Sequence, residues 1–210
     1  MIVPVTPILI FSLSYLLGSI PFGFVIAKLF GGRDVRKGGS GNIGATNVAR
    51  VVGPVAGILT LLLDAAKGGF SVWIAARAAN GESWILVLAG FFAMLGHCFP
   101  VWLRFRGGKG VATAAGVFLA LCPAAMLAAT ILFLVIVSFW RYVSLGSIAA
   151  AAAIPLLVYL LWAPRFAPPA TVTLTSLAIA ALVIFQHRSN IARLARGEEP
   201  KFSLSKKDAS

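Results

Sequence analysis

Two glycine-rich stretches that carry cations interrupt an otherwise apolar chain, and their residue types are those that hold an anion. The first runs Gly38-Gly39-Ser40-Gly41-Asn42-Ile43-Gly44-Ala45-Thr46-Asn47-Val48-Ala49-Arg50, and the second Arg104-Phe105-Arg106-Gly107-Gly108-Lys109-Gly110-Val111-Ala112-Thr113. Glycine lets backbone N–H groups come close to a guest, and fixed cations supply charge. A helix opening after such a loop adds its positive end. A phosphate is the guest that suits this chemistry. In the first stretch Gly39, Gly41, Asn42, Thr46 and Asn47 are the expected binding residues, with Ser40 offering a hydroxyl and Arg50 standing at the entry to the next helix. In the second, Gly107, Gly108 and Gly110 surround Lys109. Nucleotide hydrolysis is not expected: Gly110 follows Lys109 where a Walker A loop needs Ser or Thr, and residue 103 is Leu where it needs Gly.

Other polar residues interrupt the apolar runs. Asp64 and Lys67 lie one helical turn apart, so they can neutralise each other where an unpaired charge costs about 2.5–3.5 kcal/mol on insertion scales. A structural ion pair and a direct role both fit them, and they are assigned to the structural set. Arg141-Tyr142-Val143-Ser144 puts a cation and hydroxyls at a helix end, adding Arg141 and Ser144 to the candidate binding set. His97 and His187 are single histidines, more often satisfied hydrogen-bonding groups than catalysts. Neither starts a His-x4-Asp pattern, since Trp102 and Ala192 stand five residues on. No His-Glu-x-x-His or His/Cys cluster exists, so neither a metal nor a cofactor is expected. Cys98 and Cys122 lie in apolar surroundings and read as small core residues.

The elements that must position these groups are membrane helices. The chain is 60% hydrophobic and 11% charged, with mean hydropathy +0.95, more apolar surface than a water-soluble domain of this size can cover. Its net charge of +12 would suggest nucleic acid in a soluble chain, but cytoplasmic loops of membrane proteins gather Lys and Arg for topological reasons, and no nucleic-acid partner is expected. The first 27 residues carry no charged side chain, and Lys28 and Arg33 follow the apolar stretch. This order fits a retained first span with its N-terminus outside rather than a cleaved signal.

Spans are expected over about 7–30, 51–76, 84–103, 145–162 and 169–186. Residues 111–140 read as one tilted helix or as two segments meeting at Cys122-Pro123, and charge decides between them. Two segments give seven crossings and put the cations of loops 31–50 and 104–110, Arg141 and the tail on one side, with only Arg77 and Arg165 opposite. One segment divides the cations evenly, which the positive-inside rule disfavours. Residues 111–122 are too short to cross, so a partial helix is expected there. Small residues, such as Gly53, Gly57, Gly68 and Gly69, favour a compact bundle. The expected fold is therefore an all-α polytopic membrane bundle of about seven full or partial segments. It forms one domain over 1–202, with a cytoplasmic C-terminus and a disordered polar tail over 203–210.

Taken together, Ser40-Gly41-Asn42-Ile43-Gly44-Ala45-Thr46-Asn47, Gly96-His97 with Phe99-Pro100 running into Gly107-Gly108-Lys109-Gly110-Val111-Ala112-Thr113, Arg141-Tyr142-Val143-Ser144-Leu145, and His187-Arg188-x-Asn190 resemble the bacterial membrane acyl-phosphate:glycerol-3-phosphate acyltransferases. The likeness runs in order from Gly18 to Phe202. The resemblance implies an inner-membrane, multi-pass enzyme with its active site on the cytoplasmic side. It would move a fatty acyl group from acyl phosphate to the 1-hydroxyl of glycerol 3-phosphate, giving lysophosphatidic acid and phosphate, the first step of phospholipid synthesis. It also implies an acyl-phosphate-forming enzyme as a neighbour and membrane lipid as surroundings. Carried over by position, Ser40, Arg50, Lys109, His187 and Asn190 become the catalytic set, Gly107 and Gly108 the second-motif glycines, and Glu199 the acid of the tail's Gly-x-Glu. The rival expectations are a transporter of anionic phosphorylated solutes, although no related halves are visible, and a non-catalytic scaffold for lipid enzymes.

Overall fold

The computed structural model describes residues 7–78, 82–162 and 168–202. The tail over 203–210 and Arg165 lie outside the described residues. Among the described residues all regular structure is helical. Helices α1 (Pro7–Ser19) and α2 (Phe22–Gly31) share one broken span, interrupted where Pro21 has no N–H to continue the ladder. After a loop come α3 (Ala45–Val51), α4 (Pro54–Ala78) and α5 (Ser83–Cys98). The second loop leads into α6 (Val111–Leu121), followed by α7 (Pro123–Trp140), α8 (Val143–Leu161), α9 (Ala170–Gln186) and α10 (Arg188–Ala195).

Residues 111–140 form two helices broken at Cys122-Pro123, as the charge pattern required. Five segments are long and apolar enough to cross a membrane, six if α9 and α10, bent by 57°, count as one, and α6 is the short partial helix. Arg50 stands elsewhere than the sequence suggests. It lies in the last turn of the short α3, and the next span opens at Pro54, so Arg50 does not stand at a helix entry. The physical reason is Gly53, whose φ of 139° ends α3 before Pro54 starts α4.

Small residues set the spacing of the bundle. A Cβ on Gly116 of α6 would fall on the Ala65 carbonyl of α4, one on Gly68 on the Thr113 carbonyl, and one on Gly18 of α1 on the Ala93 carbonyl of α5. Backbones this close gain dispersion that lipid cannot supply to separate helices. The outer faces carry large apolar side chains such as Ile8, Leu29 and Phe139, each more than 70% exposed, a surface suited to hydrocarbon.

The short helix is also displaced. The Cys122 thiol meets the Leu161 carbonyl at 3.4 Å, so α6 ends level with the end of α8. Helix α6 has 11 residues and α8 has 19. At 1.5 Å per residue, α6 is roughly 12 Å shorter than α8. The second glycine loop is sunk where it meets α6, with Gly108 and Gly110 buried and Lys109 half-buried, while Arg104, Phe105 and Arg106 ahead of them are exposed.

Candidate functional site

Asn47 organises the first glycine loop from within. Its Nδ2 donates to the carbonyls of Asn42 at 2.8 Å and of Val35 and Gly38 at 3.1 Å, and its Oδ1 accepts from the Ser40 amide at 2.8 Å. Asn47 is 2% exposed and has these partners inside the loop, so it shapes the loop rather than facing a guest. Asn42 closes a smaller turn by accepting from the Gly44 amide at 2.8 Å. Gly39, with φ 57°, passes so close to the Asn47 amide that a side chain would displace it. The surface left outward is Ser40, Gly41, Thr46 and Arg50, all exposed, and the Arg50 side chain packs against Gly39.

The second loop folds back over the end of α5. The amides of Gly107 and Gly108 donate to the carbonyls of Cys98 at 3.1 Å and His97 at 3.0 Å, capping acceptors that α5 leaves unpaired. These two amides are consequently spent, contrary to the expectation that both cradle an anion. The donors that remain there are the first-turn amides of α6, which opens after Gly110 at φ 82°, and the Lys109 ammonium. Gln186, the last residue of α9, brings its amide to 3.4 Å from the Gly108 carbonyl.

The third group comes from the bend between α9 and α10 and from the chain end. His187 is 2% exposed, and its Nδ1 lies 2.8 Å from the Val183 carbonyl. A carbonyl only accepts, so Nδ1 carries the proton and Nε2 is the acceptor of a neutral ring. Gly197, with φ 71°, turns the tail back and delivers Glu199 to this cluster. Asn190 Nδ2 donates to Glu199 at 2.6 Å and Arg193 Nε at 2.8 Å. Burial raises the Glu199 carboxyl, but Ser144, Asn190 and Arg193 together outweigh it and hold the group below its ordinary range. Arg141 donates to the Phe202 carbonyl at 3.1 Å, and the Phe202 amide donates to the Arg141 carbonyl at 2.6 Å, so Arg141 ties down the tail.

The three groups converge. Burial lowers the Lys109 ammonium to about 8; Glu199 opposes this, while Arg193 and Arg50 push it further down. The His187 ring in turn feels Lys109 and Glu199. One end of the bundle thus brings together Arg50, Lys109, Arg193 and His187, with Glu199 the counter-charge that acts on Lys109 among the described residues. Such a site is short of anions and can hold a phosphate group with charge-assisted hydrogen bonds.

The pairing of Asp64 with Lys67 is present at 2.9 Å, both side chains buried. The expected single cysteines are free and buried. Sequence reasoning missed Arg193 and Gln186, which look like ordinary tail and helix-end residues. It also missed the inward role of Asn47. Glycines on both sides of Ser40, followed by Asn42 and Asn47, were the signal available for that role.

Comparison with known proteins gives consistent matches. The family model described as glycerol-3-phosphate acyltransferase matches residues 8–197. The glycerol-3-phosphate acyltransferase of Syntrophotalea carbinolica is 50% identical over 190 residues, covering 90% of this chain and 94% of that protein. That of Trichlorobacter lovleyi is 50% identical over 193 residues, covering 90% and 94%. The crystal structure of PlsY, an integral membrane glycerol 3-phosphate acyltransferase, in its glycerol 3-phosphate form is similar with TM-score 0.87 and 43% identity, covering 94% of this chain and 96% of that one. Its lysophosphatidic acid form is similar with TM-score 0.83 and 42% identity, covering 94% and 95%.

Proposed function

This chain belongs to the glycerol-3-phosphate acyltransferase family, and on that premise we propose that it transfers a fatty acyl group from acyl phosphate to the 1-hydroxyl of glycerol 3-phosphate. The products are lysophosphatidic acid and inorganic phosphate. The observation that carries the reading is the convergence of Arg50, Lys109, Arg193 and His187 at one end of a membrane bundle, where Gln186 of α9 reaches the Gly108 carbonyl. Both reactants bear phosphates that repel, and these groups offset that repulsion.

Acyl phosphate is a mixed anhydride whose leaving group is a stable anion, so the reaction needs orientation more than acid catalysis. The hydroxyl oxygen attacks the acyl carbon, the carbon–oxygen bond to phosphate breaks, and a phosphate oxygen of the substrates takes the hydroxyl proton. Lys109 and Arg50 bind phosphate. Ser40 donates to it, and His187 orients a hydroxyl through its accepting Nε2. Asn190 and Arg193 hold Glu199, whose charge keeps the cations from repelling one another.

A lipid-facing groove of about 750 Å³ between α1, α2, α4 and α6, lined by Leu17, Phe22, Leu62, Phe70 and Leu119, supports acyl-chain binding between helices. The active end faces the cytoplasm of a bacterial inner membrane, in keeping with the cations of its loops. An acyl-phosphate-forming enzyme supplies the donor.

The test is purified protein given glycerol 3-phosphate with acyl phosphate or an acyl thioester, with lysophosphatidic acid and phosphate measured. Product from acyl phosphate alone is expected. Product from the thioester alone overturns the donor assignment, and a radiolabelled acyl-enzyme trapped without glycerol 3-phosphate overturns direct transfer.

A further inference from the structure

The buried cluster Asp64–Lys67–His97 lies directly beneath the second glycine loop and has no part in the reaction as drawn above. Lys67 Nζ pairs with Asp64 Oδ1 at 2.9 Å and donates to the Ile20 carbonyl at 2.9 Å, the acceptor exposed by the break between α1 and α2. His97 Nδ1 lies 3.6 Å from the same Asp64 oxygen. Asp64, Lys67 and His97 are each at most 4% exposed. A bare ion pair would require no histidine.

The opposite edge of the imidazole explains why one is present. A Cβ built on Gly108 would fall on His97 Nε2, with Cε1 and Cδ2 of the same ring its next neighbours. The Gly108 backbone therefore rests on the imidazole edge, and its amide is bonded to the His97 carbonyl at 3.0 Å. From above, Gln186 reaches the Gly108 carbonyl. Gly108 immediately precedes Lys109, so the level of the ring sets where the ammonium and the first turn of α6 stand.

We propose that His97 is a positioning residue of the acyltransfer site: its ring supports Gly108 from below, Asp64 faces the ring's other edge, and Lys67 neutralises Asp64 while tying the cluster to the broken first span. The proposal rests on the acyltransferase reading above. The charged cluster is then the floor of the phosphate site rather than a stabilising pair elsewhere in the bundle.

Two substitutions separate support from stability. Glutamine places an amide near the position of Nε2, whereas asparagine places one near Nδ1 and leaves the space under Gly108 empty. In the full-length protein, His97→Asn is expected to raise the apparent KM for at least one phosphate substrate about tenfold, with kcat within threefold of wild type. His97→Gln is expected to recover most of that loss. Thermal unfolding of both variants is followed in parallel, and His97→Gln, which gives up the contact with Asp64, is expected to be the less stable. The double variant His97→Ala/Gly108→Ala should bind phosphate substrates better than Gly108→Ala alone, because the added methyl enters the space the ring leaves.

The proposal is overturned if KM is unchanged in His97→Asn, if KM merely follows unfolding temperature across the two variants, or if neither variant folds, which would make His97 a fold determinant. Absence of acyltransfer by the wild type would instead sink the functional reading on which the proposal stands.

Discussion

At the scale of single residues, Lys109 carries the sharpest expectation. Hydrogen bonds to charged groups contribute about 1.5–3 kcal/mol, so Lys109→Ala should lower kcat/KM by about 100-fold, equivalent to about 2.7 kcal/mol. Arg77→Ala, in the last turn of α4 away from the site, should stay within twofold when lysophosphatidic acid formation is measured. The same lysine makes a pH prediction. Its ammonium is lowered to about 8, so it is charged below that pH and loses its proton as pH rises through it. Binding of glycerol 3-phosphate, followed by calorimetry, should be full near pH 7 and weaken above about 8. Lys109→Arg should remove that decline, because guanidinium stays charged throughout the range. Asn47 gives a contrasting case. Asn47→Ala strips partners from three carbonyls and one amide, so it should lower the unfolding temperature as well as substrate affinity, unlike Lys109→Ala. The cations and glycines of the site were legible because their types are unusual in an apolar chain. The hydrogen bonds that consume the Gly107 and Gly108 amides were not, because they depend on where the end of α5 lies, and no local pattern records that.

At the scale of elements, prolines and small residues carried most of the information. The breaks at Pro21 and Pro123 follow from a missing N–H, and the two-segment reading of 111–140 needed only loop charge to decide it. What local sequence concealed was α3. A seven-residue helix gives too little periodicity to separate from the span after it, so the sequence places Arg50 at the start of α4 instead of in the last turn of α3. The packing of α6 on α4 is open to test. A methyl group on Gly116 would fall on the Ala65 carbonyl, and overpacking of this kind costs about 1–3 kcal/mol. Gly116→Ala should therefore lower the unfolding temperature in detergent. Leu61→Ala, on the lipid-facing side of α4, should leave it nearly unchanged.

At the scale of the whole molecule, the proposed orientation requires the glycine loops and α10 to meet one aqueous compartment and the start of α5 the other. Cysteines introduced one at a time by Ser40→Cys, Arg106→Cys, Ser189→Cys and Glu82→Cys, all at exposed positions, test this with a membrane-impermeant maleimide. The native Cys98 and Cys122 are buried and should give little background. The first three should react only in inside-out vesicles and the Glu82 variant only in intact cells; a split among the first three would overturn the common site. The recessed start of α6 gives this arrangement its use. A donor with a long hydrocarbon tail is costly to lift clear of a leaflet, since each methylene brought into water costs about 0.8 kcal/mol. Under the proposed reading, a cationic pit set below the ends of the longer helices lets the greasy partner stay in its leaflet while the small, water-loving one makes the journey.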